Sequence, residues 1–198
     1  MSKLIQLTRE AERCTLCAAH LPLGPRPVLR TGAHARLLII GQAPGTRVHA
    51  SGIPWDDASG KRLRQWLGLS DAVFYDTRHV AIMPMGFCYP GKGKSGDLPP
   101  RKECAPQWHQ PLRELMPDIR LTLLIGQYAQ AHYLQDGFTS LTERLRHYRD
   151  FPPGFFALPH PSPRNQLWLK KNPWFEQDVV PLLKQRVRDA LGDVYDAG

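Results

Sequence analysis

Along this chain apolar residues gather in short unbroken runs, separated by longer stretches in which they recur at helical spacing. Arg36-Leu37-Leu38-Ile39-Ile40 stops at Gly41, and Leu121-Thr122-Leu123-Leu124-Ile125 stops at Gly126. His79-Val80-Ala81-Ile82-Met83 is a third such run, and Phe155-Phe156-Ala157-Leu158 ends at Pro159-His160-Pro161. Short apolar runs bounded by turn formers predict strands buried on both faces. Helical spacing predicts helices over 4–13, over the stretch after Ser59-Gly60 with Leu63, Trp66 and Leu67 on one side, and over 101–116, 127–134 and 174–191. The last carries Val179, Val180, Leu182, Leu183, Val187 and Leu191. Segments 20–34 and 90–100 are rich in Gly and Pro and read as loops. No repeat or interdomain linker interrupts the pattern. Four buried strands alternating with helices predict an α/β fold: a single three-layer α/β/α domain with a four-stranded parallel central sheet. Ligands of such sheets bind beyond the carboxyl ends of the strands, which singles out 41–60, 84–94 and 159–168.

Composition narrows the class. The 198 residues carry 26 Lys+Arg against 18 Asp+Glu, a formal charge of +8. That length suits one domain, and a hydrophobic fraction of 42% with five Trp excludes a disordered chain. No apolar run approaches the roughly 18 residues of a membrane helix. The start Met1-Ser2-Lys3-Leu4-Ile5-Gln6 lacks a secretory stretch. A cytoplasmic monomer without a membrane partner is the expectation. The positive balance points to an anionic partner, nucleic acid first.

The four cysteines, Cys14, Cys17, Cys88 and Cys104, are spaced C-x2-C, then 70 residues, then C-x15-C. Thiols in the cytosol stay reduced, so disulfides are not expected. A C-x2-C pair puts two sulfurs on one turn, close enough to share a metal. Zinc and an iron–sulfur cluster both accept four thiolates, and the spacing leaves both open, beside a set of free buried cysteines.

Two strand ends carry candidate chemistry. Gly41-Gln42-Ala43-Pro44-Gly45 is a tight loop whose backbone N–H groups can face a ligand, without the pattern of a P-loop or a dinucleotide fingerprint. In His160-Pro161-Ser162-Pro163-Arg164-Asn165 two prolines stiffen the loop that carries the histidine. A histidine held there can donate to a leaving group that gains negative charge, or can be a capping or core residue.

Together these segments resemble the uracil-DNA glycosylase superfamily. Gly41–Gly45 is similar to its first motif and His160-Pro161-Ser162 to its second, and the cysteine layout resembles that of the superfamily's iron–sulfur families four and five. The resemblance covers roughly residues 10–190. It implies a uracil-DNA glycosylase-like fold and a structural [4Fe-4S] cluster on Cys14, Cys17, Cys88 and Cys104, with structural zinc as the alternative. It also implies DNA containing a damaged base as partner. The activity implied is that of a monofunctional DNA repair glycosylase, which flips uracil or another deaminated base and hydrolyses its N-glycosidic bond.

The resemblance assigns site residues as well. Gly41, Gln42, Ala43, Pro44, Gly45, Ser162 and Asn165 would bind the base. Gly52-Ile53-Pro54-Trp55 is similar to a family-four Gly-x-Pro-Phe segment, making Trp55 the stacking platform unless it packs beneath the loop. Asp57-Ala58-Ser59-Gly60 resembles the Asp-Arg-Ser-Gly stretch of family five, which makes Asp57 the water-orienting group, with an N-cap as the other role open to it. The segment after His160 is similar to the longer form in single-strand-selective glycosylases. Arg164, Gln166, Leu167, Lys170 and Lys171 would then meet DNA, with Leu167 or Trp168 as a wedge. Two positions depart from family four. Gln42 replaces a Glu, and Pro84 stands where an Asn reads uracil. These departures suggest the alternative of a catalytically inactive, nucleic-acid-binding member.

Overall fold

Each unbroken apolar run is a strand of one parallel sheet in the computed structural model, which describes residues 2–197. The strands are β1 (Leu37–Ile40), β2 (Val80–Ile82), β5 (Leu121–Ile125) and β6 (Phe155–Leu158), ordered β2-β1-β5-β6. Leu37 is paired with Val80 on one side and Leu121 on the other, and Thr122 with Phe155. Alternate residues serve opposite faces. Leu37 and Ile39 join Leu63, Trp66, Phe175 and Leu183 in one core layer. Leu38 and Ile40 join Met83, Leu112 and Ala157 in the other. Both faces are covered, so the runs have no reason to alternate with polar residues.

Helices supply the outer layers: α1 (Lys3–Glu12) and α5 (Cys104–Glu114) pack together over the second layer, α3 (Ala58–Leu67) and α9 (Val180–Leu191) over the first. Ser2 caps α1 and Asp57 caps α3. The remaining helices are short: α2 (Thr46–Ser51), α4 (Asp71–Phe74), α6 (Gln127–Tyr133), α7 (Leu141–Arg146) and α8 (Gln166–Lys171). Of these only α6 was predicted, because four to six residues are too few to display a helical period. The amphipathic stretch predicted over 174–191 opens with a π-helical turn, Phe175–Val179, before α9. The segment predicted as loop over 90–100 contains a small antiparallel hairpin, β3 (Lys92–Gly93) and β4 (Gly96–Asp97).

The connection from β1 runs to β2 on one side, whereas that from β5 runs to β6 on the other. The switch point therefore lies between the carboxyl ends of β1 and β5, where a crevice opens in sheets of this kind. Among the described residues no helix is long and apolar enough to cross a membrane.

Candidate active site

A cavity of about 630 Å³ occupies that switch point. Its walls are the Gly41–Gly45 loop after β1, Pro84 after β2, Gly126 and Gln127 after β5, and Pro159, His160 and Ser162 after β6. All three segments singled out by the strand-end rule thus meet in one place. A fourth wall, Ser95–Leu98 of the hairpin, carried no sequence signal beyond its glycines.

His160 is the chemically best-defined group of the cavity. The backbone N–H of Ser162 donates to His160 Nδ1 at 3.2 Å, so in the neutral ring the proton sits on Nε2, which becomes a donor. Burial pushes the imidazole below its ordinary pKa, and the negative charge of Asp57 opposes that shift. The histidine is therefore neutral at pH 7. Its loop is held from within. Asn165 Nδ2 donates to the His160 carbonyl at 2.7 Å, and Ser162 Oγ accepts from the Arg164 N–H. Asn165 lines the cavity, but this bond makes its side chain a brace for the histidine loop.

Trp55 stands beside the histidine, with ring centroids 5.7 Å apart and planes inclined by 36°. Its φ of 60° is left-handed, a costly conformation for a bulky residue and one that surrounding contacts must impose. Those contacts are present. Arg64 Nη1 donates to the Trp55 carbonyl at 3.2 Å, and the Tyr75 hydroxyl donates to the Pro54 carbonyl at 3.0 Å. Arg64 is itself held by Asp71 at 2.6 Å. The indole also lies against the first loop, since a Cβ on residue 41 would come within 2.7 Å of Trp55 Cζ2. Trp55 thus both lines the cavity and packs on the Gly41 loop. Sequence reasoning missed the Arg64–Tyr75 support, which joins residues that no short motif contains.

Asp57 fulfils the capping role, its Oδ1 accepting from the Gly60 N–H at 2.8 Å, and it lines the cavity as well. Gln42 lines it too, while the carbonyls of Gly41 and Gln42 accept from the N–H groups of Met85 and Gly86. Pro84 is buried in the floor, and its carbonyl accepts from His109 Nε2 at 2.9 Å. At this position the floor offers a ligand no polar side chain.

Beyond the cavity the expected DNA-facing residues separate into two groups. Leu167 is 70% exposed, and Lys170 and Lys171 are exposed on α8. Arg164 instead reaches across the mouth, its Nη1 donating to the Ser95 carbonyl at 2.9 Å, and Gln166 accepts from Arg62 at 2.7 Å. Trp168, the other wedge candidate, is half-buried against the core with Nε1 donating to Thr142 Oγ1 at 2.8 Å. Several arginines of the basic N-terminal half serve the backbone. Arg26 donates to the carbonyls of His49 and Ala50, Arg30 to that of Gly52, and Arg36 to that of Leu191.

The four cysteines converge away from this cavity. Cys14, Cys17, Cys88 and Cys104 all line one small chamber of about 20 Å³, together with Phe87 and Trp108, and all are free thiols. Burial pushes Cys88 up to about 11 and Cys104 up to about 12. The backbone N–H of Phe87 donates to Cys104 Sγ at 3.3 Å. Among the described residues no three His, Cys, Asp or Glu side chains are set to hold a metal ion as they stand. Loading would therefore require the thiols to deprotonate and shift. The donor set suits a thiophilic metal: four sulfurs around one apolar chamber, one of them already receiving a backbone N–H.

A cavity at the switch point of a doubly wound sheet, walled by stiff loops and one neutral imidazole, lies where α/β folds of this kind place a ligand site. The family model described as the Uracil DNA glycosylase superfamily matches residues 30–184, and the chain belongs to that superfamily. Membership supports a glycosylase-type function and implies DNA as the substrate to be bound.

Proposed function

We propose that the protein is a monofunctional DNA glycosylase that releases deaminated bases. The observation that carries this reading is the state of His160: half-buried in the cavity wall, neutral, with Nδ1 engaged by Ser162 and Nε2–H left as donor. An extruded base would enter beside Trp55, where stacking on an aromatic face contributes about 1–3 kcal/mol. The bond between C1′ and the base nitrogen then breaks, the base taking the electron pair. His160 Nε2–H stabilises the charge growing on the base, an interaction stronger in the transition state than in the ground state. Asp57 orients a water whose oxygen bonds to C1′, and the water's proton leaves to the base or to solvent. Leu167 would fill the gap left by the extruded base, offsetting part of the unstacking cost. Lys170 and Lys171 would meet phosphates.

Pro84 offers no side-chain partner for a particular base edge, which supports a broad range of deaminated bases over strict uracil selection. Cys14, Cys17, Cys88 and Cys104 would hold a [4Fe-4S] cluster, with zinc as the alternative. Such a centre would join α1, the 84–88 segment and α5, a structural service. The assignment is tested by single-turnover base release from variants. Loss in His160→Ala and Asp57→Ala is expected, and an unchanged rate in the double variant would overturn it.

A further inference from the structure

Among the described residues, Trp108 Nε1 is one of three buried side-chain nitrogens left without a hydrogen-bond partner. The residue lies on α5 one turn after Cys104, is 8% exposed, and lines the chamber shared by the four cysteines. Three of the four other indoles donate to a side chain: Trp66 to Glu176 at 3.0 Å, Trp168 to Thr142 at 2.8 Å and Trp174 to Asn172 at 3.1 Å. A buried donor with no acceptor carries an uncompensated loss of hydration, and so requires a reason. The chamber it lines is shared with the four cysteines, and Cys104 Sγ there already receives the backbone N–H of Phe87 at 3.3 Å.

We infer that the Trp108 Nε1–H is a hydrogen-bond donor to a sulfur of the metal centre and raises the reduction potential of that centre. The inference rests on the iron–sulfur reading given above. Reduction adds negative charge to the cluster, and a donor aimed at its sulfur stabilises the more negative state. Trp108 is here a positioning and tuning residue, with no contact to the DNA cavity proposed.

The experiment uses purified full-length protein, its iron and sulfide content measured first. Trp108→Phe keeps an aromatic ring and removes the donor. Its cluster should be about tenfold harder to reduce, a potential about 59 mV more negative for one electron. In wild type labelled with ¹⁵N-indole tryptophan, the dithionite-reduced cluster should couple magnetically to one indole nitrogen, and this coupling should vanish in the variant. That second readout stands even if the variant folds poorly. An unchanged potential with no indole coupling would overturn the inference while leaving the cluster intact. Protein holding zinc alone, or no metal, would instead overturn the iron–sulfur reading and this inference with it.

Discussion

Gly60 and Trp55 are fitted to one another: a Cβ on residue 60 would overlap the carbonyl oxygen of Trp55. The glycine is the third residue of α3, and its N–H donates to the capping Asp57. Trp55 is thereby kept at its left-handed φ of 60°, with the indole on the cavity wall. Gly60→Ala sets a methyl group against backbone, which cannot rotate away. Such overpacking should cost about 3 kcal/mol, lowering Tm by about 6–12 °C for a chain of this size, as calorimetry would register. Gly41→Ala meets only the far edge of the indole, so its expected signature is the reverse. Stability should change little while base release falls.

The pH dependence of base release should report His160. The neutral ring is the form with Nδ1 accepting from Ser162 and Nε2–H donating. Burial lowers the imidazole pKa, so activity persists below 6.5, the ordinary value, and is lost only as the pH falls through the depressed one. Removing the donor in His160→Phe should lower single-turnover release by about 10²–10³-fold, the usual effect of deleting one donor to a developing charge. An acid limb unchanged in that variant would assign the titration to another group.

Asp57 holds two roles that substitutions separate. Asparagine caps helices about as well as aspartate, whereas alanine loses roughly 1 kcal/mol of capping. Asp57→Asn should therefore melt like wild type yet release base slowly, if the carboxylate orients water. Its loss of negative charge should also move the acid limb of His160 further down in pH. Full release by Asp57→Asn would reduce Asp57 to its cap.

His109 makes the fold sensitive to acid. It is buried behind the cavity floor, Nε2 donating to Pro84 O and Nδ1 accepting from the Tyr133 hydroxyl at 2.6 Å, with His132 and Arg113 the nearby basic groups. Burial first, then those two groups, push its pKa down to about 4. The unfolded chain binds this proton near 6.5, so between about pH 4 and 6.5 unfolding takes up a proton and stability rises with pH. The contribution is complete above 6.5 and should amount to about 3 kcal/mol lost by pH 4. Urea unfolding at several pH values checks this. His109→Phe should flatten the slope, at the expense of unpairing the Pro84 carbonyl.

The sheet was legible in the sequence because its strands are buried on both faces. Leu37–Ile40 had to be apolar throughout and Leu121–Ile125 nearly so, with only the buried Thr122 interrupting it, and glycine had to end them where the loops turn toward the cavity. His160 and the first loop were legible for a related reason, since the stiff turns that aim them leave Gly and Pro in the chain. What escaped was built from contacts between distant segments. Arg164 closing on Ser95, Arg64 and Tyr75 bracing Trp55, and Asn165 turned back on His160 each depend on a partner that no local pattern names. The hairpin at 92–97 escaped because two-residue strands have no period to read. The arginines of the basic half illustrate the limit of charge counting, as Arg26, Arg30 and Arg36 serve carbonyls of their own chain.

Single-turnover base release by the wild-type protein tests the central claim most directly. The substrates are oligonucleotides carrying uracil, hypoxanthine or xanthine, each single-stranded and in duplex. The account predicts release of at least one of these bases, with the sugar–phosphate strand intact until alkali cleaves the abasic site. Salt-dependent binding to all of them with release from none would contradict it, leaving a nucleic-acid-binding protein on a glycosylase scaffold.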